Sequence, residues 1–288
     1  MCHKGTAAVL VRWLVCLTAA AFGAAGAAGR GRAPVRLGVC DWTIGRSGDP
    51  AALDFAAGLG LDGVQVSLVP TGESLALAEP DMQRAYLRAA ERSGVAIASF
   101  ALGELNNVPL KSDPRAEKWL ARAVDVARAM NVPLILVPFF GNGELRNDAP
   151  GTEAAVAALK RLAPAAEEAG VVLALESYLS AAENLAVLER VGSAAVKVYY
   201  DVGNSQAVGH PVVEEIRRLG DRIAEIHAKD TKGLYGRGSM DFVAVREAME
   251  RIRYRGWLVI EGTEMPLGVE KSVRHDADYL RTLFPETR

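Results

Sequence analysis

From Val35 onward the chain alternates short runs rich in β-branched residues with longer Ala-, Leu-, Arg- and Glu-rich segments. In the longer segments, apolar residues recur at three- and four-residue spacing. Short apolar runs of this kind read as strands buried on both faces, and the periodic segments read as amphipathic helices. The pattern predicts strands at Val35–Cys40, Val64–Ser67, Ala96–Ser99, Leu134–Val137, Val171–Glu176, Lys197–Asp201, Arg222–His227 and Leu258–Glu261. The clearest helices between them are Asp81–Ser93, Asp113–Met130 and Thr152–Ala169. Asp113-Pro114 and Gly151-Thr152 read as helix starts, and Gly60, Gly94, Gly170 and Gly256 as helix ends placed just before a strand. Eight strand–helix units in about 250 residues match the size of an α/β fold of one kind, a single (β/α)8 TIM barrel. One domain over residues 34–288 is therefore expected. An open doubly wound sheet competes, but no Gly-x-Gly-x-x-Gly follows the first strand.

Four of the predicted strands share an unusual ending. Glu176 closes Val171-Val172-Leu173-Ala174-Leu175, and Asp201 closes Val198-Tyr199-Tyr200. His227 closes Ile223-Ala224-Glu225-Ile226, and Glu261 closes Leu258-Val259-Ile260. In a parallel barrel all these ends reach one mouth, which is where active sites of the fold lie. Three carboxylates and one imidazole converging there make a site for one divalent metal. Oxygen-rich ligation of this kind suits Mn²⁺ best, with Mg²⁺ or Co²⁺ as alternatives, and fits a thiolate-type structural zinc less well. Each residue taken alone could instead cap a helix or join a loop ion pair. Asp201, followed by Val202-Gly203-Asn204, is the plainest case for capping.

Other residues near the same mouth have two readings each. Trp42, beyond the first strand beside Asp41, can stack on a ligand face or simply pack. Gln65 can hydrogen-bond a hydroxyl of a ligand or satisfy the barrel interior. Lys229 lies two positions past His227, so alternation puts both on one side. It can hold a ligand oxygen, pair with Glu261, or pair with Asp230 at the rim. Gly236-x-Gly238 could approach an anionic group, although Asp241 reads more simply as a helix cap. His210 reads as a loop residue and not a ligand. Cys40 reads as a buried small hydrophobe, since no nearby histidine is evident to activate it.

Composition narrows the class. The chain has 288 residues, is 50% hydrophobic and carries a formal charge of -2, which fits a globular protein without the basic excess of a nucleic-acid partner. The first acid is Asp41, and Lys4 and Arg12 precede an apolar run from Trp13 to Ala28. With Ala25-Gly26-Ala27 as a cleavage site, residues 1–27 read as a signal peptide, and the run is too short and Ala/Gly-rich for a membrane span. The expected location is therefore periplasmic or secreted, with no membrane contact after cleavage. Removing that segment takes Cys2 and Cys16 and leaves Cys40 alone, so no intrachain disulfide can form.

The chain resembles the xylose-isomerase-like sugar (phosphate) isomerase/epimerase superfamily from about Val35 to Met265. The resemblance rests on Glu176, Asp201, His227 and Glu261 together with four stretches. These are Tyr200-Asp201-Val202-Gly203-Asn204, His227-Ala228-Lys229-Asp230-Thr231-Lys232, Gly236-Arg237-Gly238-Ser239-Met240-Asp241-Phe242 and Gly256-Trp257-Leu258-Val259-Ile260-Glu261. The resemblance implies that the four ligands hold one metal gripping two adjacent substrate oxygens. It also makes Glu176 and Glu261 the acid/base pair of a ketose 3-epimerase, working on opposite sugar faces through an enediolate. Relatives often carry Glu where this chain has Gln65. Many carry a histidine where this chain has Asn204, which would contact substrate as a neutral amide. The pattern is nearest to the pentulose-5-phosphate 3-epimerase branch, yet export favours a free sugar or sugar derivative as the small-molecule partner.

Two other readings stay open: a cyclitol or keto-sugar dehydratase using the same site, and a non-catalytic sugar-binding barrel. Apurinic endonucleases of the same superfamily need several histidines, and the four here include His3 in the signal segment and His275 in the last helix. Nucleic acid is therefore not an expected partner. The sequence is compatible with a homo-oligomer.

Overall fold

The computed structural model describes Met1 and residues 35–262 and 264–285. The expected signal peptide, residues 1–27, lies outside the described residues apart from Met1. Contacts group Ala33–Arg288 as one unit.

Eight parallel strands close into a barrel in which each strand pairs with its neighbours in sequence and the first pairs with the last. They are Arg36–Cys40, Gly63–Ser67, Ala96–Ala101, Leu134–Phe139, Val172–Ser177, Val196–Asp201, Ile223–Ala228 and Trp257–Ile260. Every predicted strand is present, and boundaries differ by one or two residues. Helices α1 (Ala51–Gly58), α2 (Pro80–Ser93), α3 (Pro114–Met130), α4 (Ala149–Ala169), α5 (Ala181–Val191), α6 (Val202–Ala207), α7 (Val212–Leu219), α8 (Phe242–Arg251) and α9 (Val269–Leu283) connect or follow them. The sequence pattern did not anticipate the small antiparallel hairpin of Pro70–Thr71 and Ser74–Leu75.

Local chemistry explains the helix ends. Asp113 caps α3 by accepting from the Arg115 N–H at 2.9 Å, with Pro114 in the first turn. Such a cap stabilises a helix by about 0.5–2 kcal/mol. Helix α4 begins at Ala149, not at Thr152 as expected, because the Asp148 side chain accepts from the Gly151 N–H at 2.9 Å. Gly94 and Gly170 end their helices in the left-handed conformation, with φ of 72° and 67°. Gly256 does not, and α8 instead ends through Ile252 and Arg253, the latter with φ of 56°.

Strand alternation divides the core in two. On the fifth strand Leu173 and Leu175 face the helices, while Ala174 packs with Leu134, Leu136, Ala101 and Tyr199 inside the barrel. The inward set also carries the polar residues, and it ends at the C-terminal mouth. Among the described residues no helix is long and apolar enough to cross a membrane.

Candidate active site

The fifth, sixth and seventh strands bring Glu176, Asp201 and His227 together. Asp201 and His227 are register partners on adjacent strands. His227 Nδ1 lies 3.2 Å from Glu176 Oε1 and 3.8 Å from Asp201 Oδ2. One donor atom from each residue falls within 4.8 Å of the others, and all three residues are buried.

Asp201 has the capping role its sequence position allowed, and has it through one oxygen only. Its Oδ1 accepts the Asn204 backbone N–H at 2.8 Å and caps α6. Its Oδ2 is buried with no hydrogen-bond partner, its nearest cation being Lys229 Nζ at 3.4 Å. Leaving such an atom unsatisfied costs about 1–3 kcal/mol, more for a charged group. An unpartnered carboxylate oxygen facing a second carboxylate and an imidazole nitrogen is the donor set of a divalent cation, so these residues fit one. Asn204 also donates its Nδ2 to Glu176 Oε1 at 3.2 Å, which ties the two carboxylates to one residue.

Glu261 stands apart from this triad. It follows the last strand and lines the same cavity, but its carboxylate is held elsewhere. Trp42 Nε1 donates to its Oε1 at 3.2 Å, and Lys229 Nζ lies 2.6 Å from its Oε2. Of the four expected ligands, three are within ligating reach of one another and the fourth is paired with an ammonium. Lys229 does pair with Glu261, and not with Asp230. Asp230 is buried and accepts the backbone N–H groups of Lys232 and Met240. Gly238 packs directly on that carboxylate, which leaves no room for a Cβ. The Gly236-x-Gly238 loop thus wraps the buried Asp230 side chain, and Asp241 caps α8.

Electrostatics separate the two glutamates. Burial, reinforced by the charge of Glu261, raises Glu176 to about 8, and burial raises Asp201 to a similar value. Burial lowers His227, which leaves a neutral imidazole able to offer a lone pair. Burial would raise Glu261 as well, but the ammonium of Lys229 and the hydrogen bonds from Lys229 and Trp42 outweigh it and hold the group below its ordinary value. Burial opposes the charge on Lys229, yet Asp201 and Glu261 raise its pKa overall and keep it an ammonium.

Glu176, Lys229 and Glu261 line a cavity of about 360 Å³ whose wall includes Trp42, Phe140 and Tyr178. Phe140 and Tyr178 meet edge to face at 4.7 Å. Asn204, Lys229 and Trp42 line it. Gln65 does not. It is fully buried beneath the site, where its Oε1 lies 2.8 Å from His227 Nε2. The absence of a histidine near Cys40 was a misreading, since Cys40 Sγ lies 3.4 Å from His227 Nε2. Burial nevertheless pushes that thiol well up, so it remains a poor nucleophile. His210 and His275 bind backbone carbonyls of Tyr178 and Tyr235 and take no part. Three residues went unread in the sequence: Ser99, Tyr199 and Glu225, all buried inside the barrel. Glu225 sits two positions before His227, and period-two alternation was the available signal that both face inward.

Residues 53–283 match the family model described as xylose isomerase-like TIM barrel. The chain belongs to that family. It is 33% identical over 175 residues to a 2-epi-5-epi-valiolone 7-phosphate 2-epimerase of Actinoplanes sp., a match spanning 60% of this chain and 64% of that relative. In that match the chain thus spans less than two thirds of the relative's length. It is 31% identical over 239 residues to an Escherichia coli protein provisionally named an L-ribulose-5-phosphate 3-epimerase, covering 74% of this chain and 82% of that one. The fold superposes on a solved L-ribulose 3-epimerase with a TM-score of 0.74 at 19% identity, over 88% of this chain and 96% of the other.

Proposed function

We propose that the chain is a metal-dependent sugar epimerase or isomerase that moves a proton at a carbon beside a carbonyl, with ketose 3-epimerisation as its reaction. The observation that carries this reading is the unpartnered Asp201 Oδ2 within the buried Glu176, Asp201 and His227 cluster, whose Glu176 lines the same cavity as Glu261. Those three residues, with Glu261 as the fourth, would hold one divalent cation, best Mn²⁺, with Mg²⁺ or Co²⁺ as alternatives. Such a cation makes the proton beside the carbonyl acidic enough for a carboxylate to remove.

The chain's own residues supply the remaining chemistry. Glu261, kept ionised by Lys229 and aimed by Trp42, accepts a proton from carbon. Glu176, oriented by Asn204, returns one from the other face and inverts the centre. The aromatic wall covers the apolar face of the sugar and excludes water. The same wall supports an uncharged sugar over a phosphorylated one. Lys229 is the one cation among the described lining residues, and it already lies between Asp201 and Glu261. A phosphate ester entering there would meet no uncommitted counter-charge.

An uncharged substrate agrees with a periplasmic or secreted protein, which is how we read residues 1–27. Intact mass of the protein from its host should show a start near residue 28, and a retained Met1 would remove that part. For the reaction, Mn²⁺-loaded protein in D₂O is incubated with free ketoses and their phosphate esters. Deuterium should enter beside the carbonyl of a free ketose, and faster than in its ester. Bound metal with no exchange in any sugar would contradict the reading, and a product lighter by one water would mark a dehydratase.

A further inference from the structure

The barrel interior below the cavity holds a line of polar side chains that the proposed chemistry does not use. Ser99 Oγ donates to Glu225 Oε1 at 2.6 Å, and Tyr199 Oη donates to the same oxygen at 2.8 Å. Gln65 Nε2 donates to Ser99 Oγ at 3.0 Å. Gln65 Oε1 then faces His227 Nε2 at 2.8 Å and also accepts from Cys40 Sγ at 3.4 Å. Glu225, Ser99, Gln65 and His227 are all essentially inaccessible to water. The four come from the seventh, third and second strands, so the line crosses the barrel.

The direction of this line follows from its end. A carboxylate oxygen touched by two hydroxyls accepts from both, so the one proton of Ser99 is committed to Glu225. Toward Gln65 the Ser99 oxygen can therefore only accept, which turns the amide N–H₂ to Ser99 and the amide oxygen to His227. The imidazole must then donate from Nε2. A neutral ring with its proton on Nε2 carries its lone pair on Nδ1, the nitrogen 3.2 Å from Glu176 Oε1. The opposite tautomer would set the Nε2 lone pair against Gln65 Oε1 in a dry interior, at about 1–3 kcal/mol.

We infer that Glu225 is a positioning residue that acts through Ser99 and Gln65 to keep His227 protonated on Nε2, with Nδ1 free for a cation. The tautomer of a metal-binding histidine is set by what its other nitrogen touches. Here the chain's own interior sets it from a carboxylate three hydrogen bonds away. The consequence for metal affinity rests on the proposed role of His227 as a ligand, whereas the tautomer itself does not.

The test is ¹⁵N NMR of the His227 ring in metal-free protein at neutral pH, together with Mn²⁺ affinity. Wild type should show the Nε2–H tautomer. Gln65→Leu and Ser99→Ala should lose that bias and bind Mn²⁺ about 10- to 100-fold more weakly. Glu225→Gln can offer Ser99 either an oxygen or an N–H group, so it should give mixed tautomers and weaker binding. Gln65→Glu restores an accept-only partner and should keep the wild-type tautomer. An Nδ1–H ring in wild type overturns the inference, as does a wild-type tautomer and affinity in both Gln65→Leu and Glu225→Gln. If wild type shows the Nε2–H ring but binds no Mn²⁺, the relay stands and the ligand role of His227 falls.

Discussion

Asp201 and Glu225 are both buried carboxylates on neighbouring barrel strands, and both carry a raised pKa. They differ in what surrounds them. Glu225 takes two hydroxyls on one oxygen, whereas Asp201 caps a helix with one oxygen and leaves the other buried and bare. Burial of a charge therefore does not by itself mark a functional site. The informative feature is the acceptor that the fold has left open. It occurs where an imidazole and a second carboxylate face the same point.

That contrast predicts a graded set of outcomes. The largest effect is expected at Glu261. Glu261→Gln keeps the shape and the Trp42 contact but removes the base, so solvent-deuterium exchange should fall about 10²–10⁴-fold with little change in the melting temperature. Unchanged exchange in that variant would remove Glu261 from the proton path.

Substitution at the two contrasted carboxylates should then part in opposite directions. Asp201→Asn retains a capping oxygen and replaces the bare oxygen with an N–H₂ group that cannot ligate a cation, so the metal-free protein should melt close to wild type while Mn²⁺ affinity collapses. Glu225→Leu strands the hydroxyls of Ser99 and Tyr199 and should destabilise the fold by about 1–3 kcal/mol per unpaired group. Equal losses of stability in both variants would erase the distinction.

A smaller effect follows from pH. Glu176 and Asp201 titrate near 8 in the folded chain, against about 4.5 and 3.8 ordinarily. The folded state then holds more protons than the unfolded one across that window. Stability without metal is fully present below about pH 4 and declines as pH rises toward 8. A divalent cation binds the ionised forms, so the gap in melting temperature between Mn²⁺ and chelator should widen with rising pH. A gap that narrows over the same range would argue against these residues as ligands.

Much of this arrangement was legible before the fold. Eight runs with inward and outward faces define the barrel, and strand-end positions place Glu176, Asp201, His227 and Glu261 at the C-terminal ends of four adjacent strands. What alternation could not supply is who meets whom across the barrel. Gln65 reads equally well as lining a cavity or filling an interior until the second and seventh strands are seen to face each other. Glu225 is hidden for the same reason, since its partners come from the third and sixth strands. Lys229 also had three partners in prospect, and only its depth in the cavity selects Glu261 and Asp201 over Asp230.

The central claim is that Glu176, Asp201 and His227 hold a divalent cation. It is tested most directly by an anomalous difference map at the manganese edge from crystals grown with Mn²⁺. One peak per chain is expected, within ligating distance of Glu176, Asp201 Oδ2 and His227 Nδ1. A map without a peak there, from crystals whose Mn²⁺ occupies other positions, would contradict it.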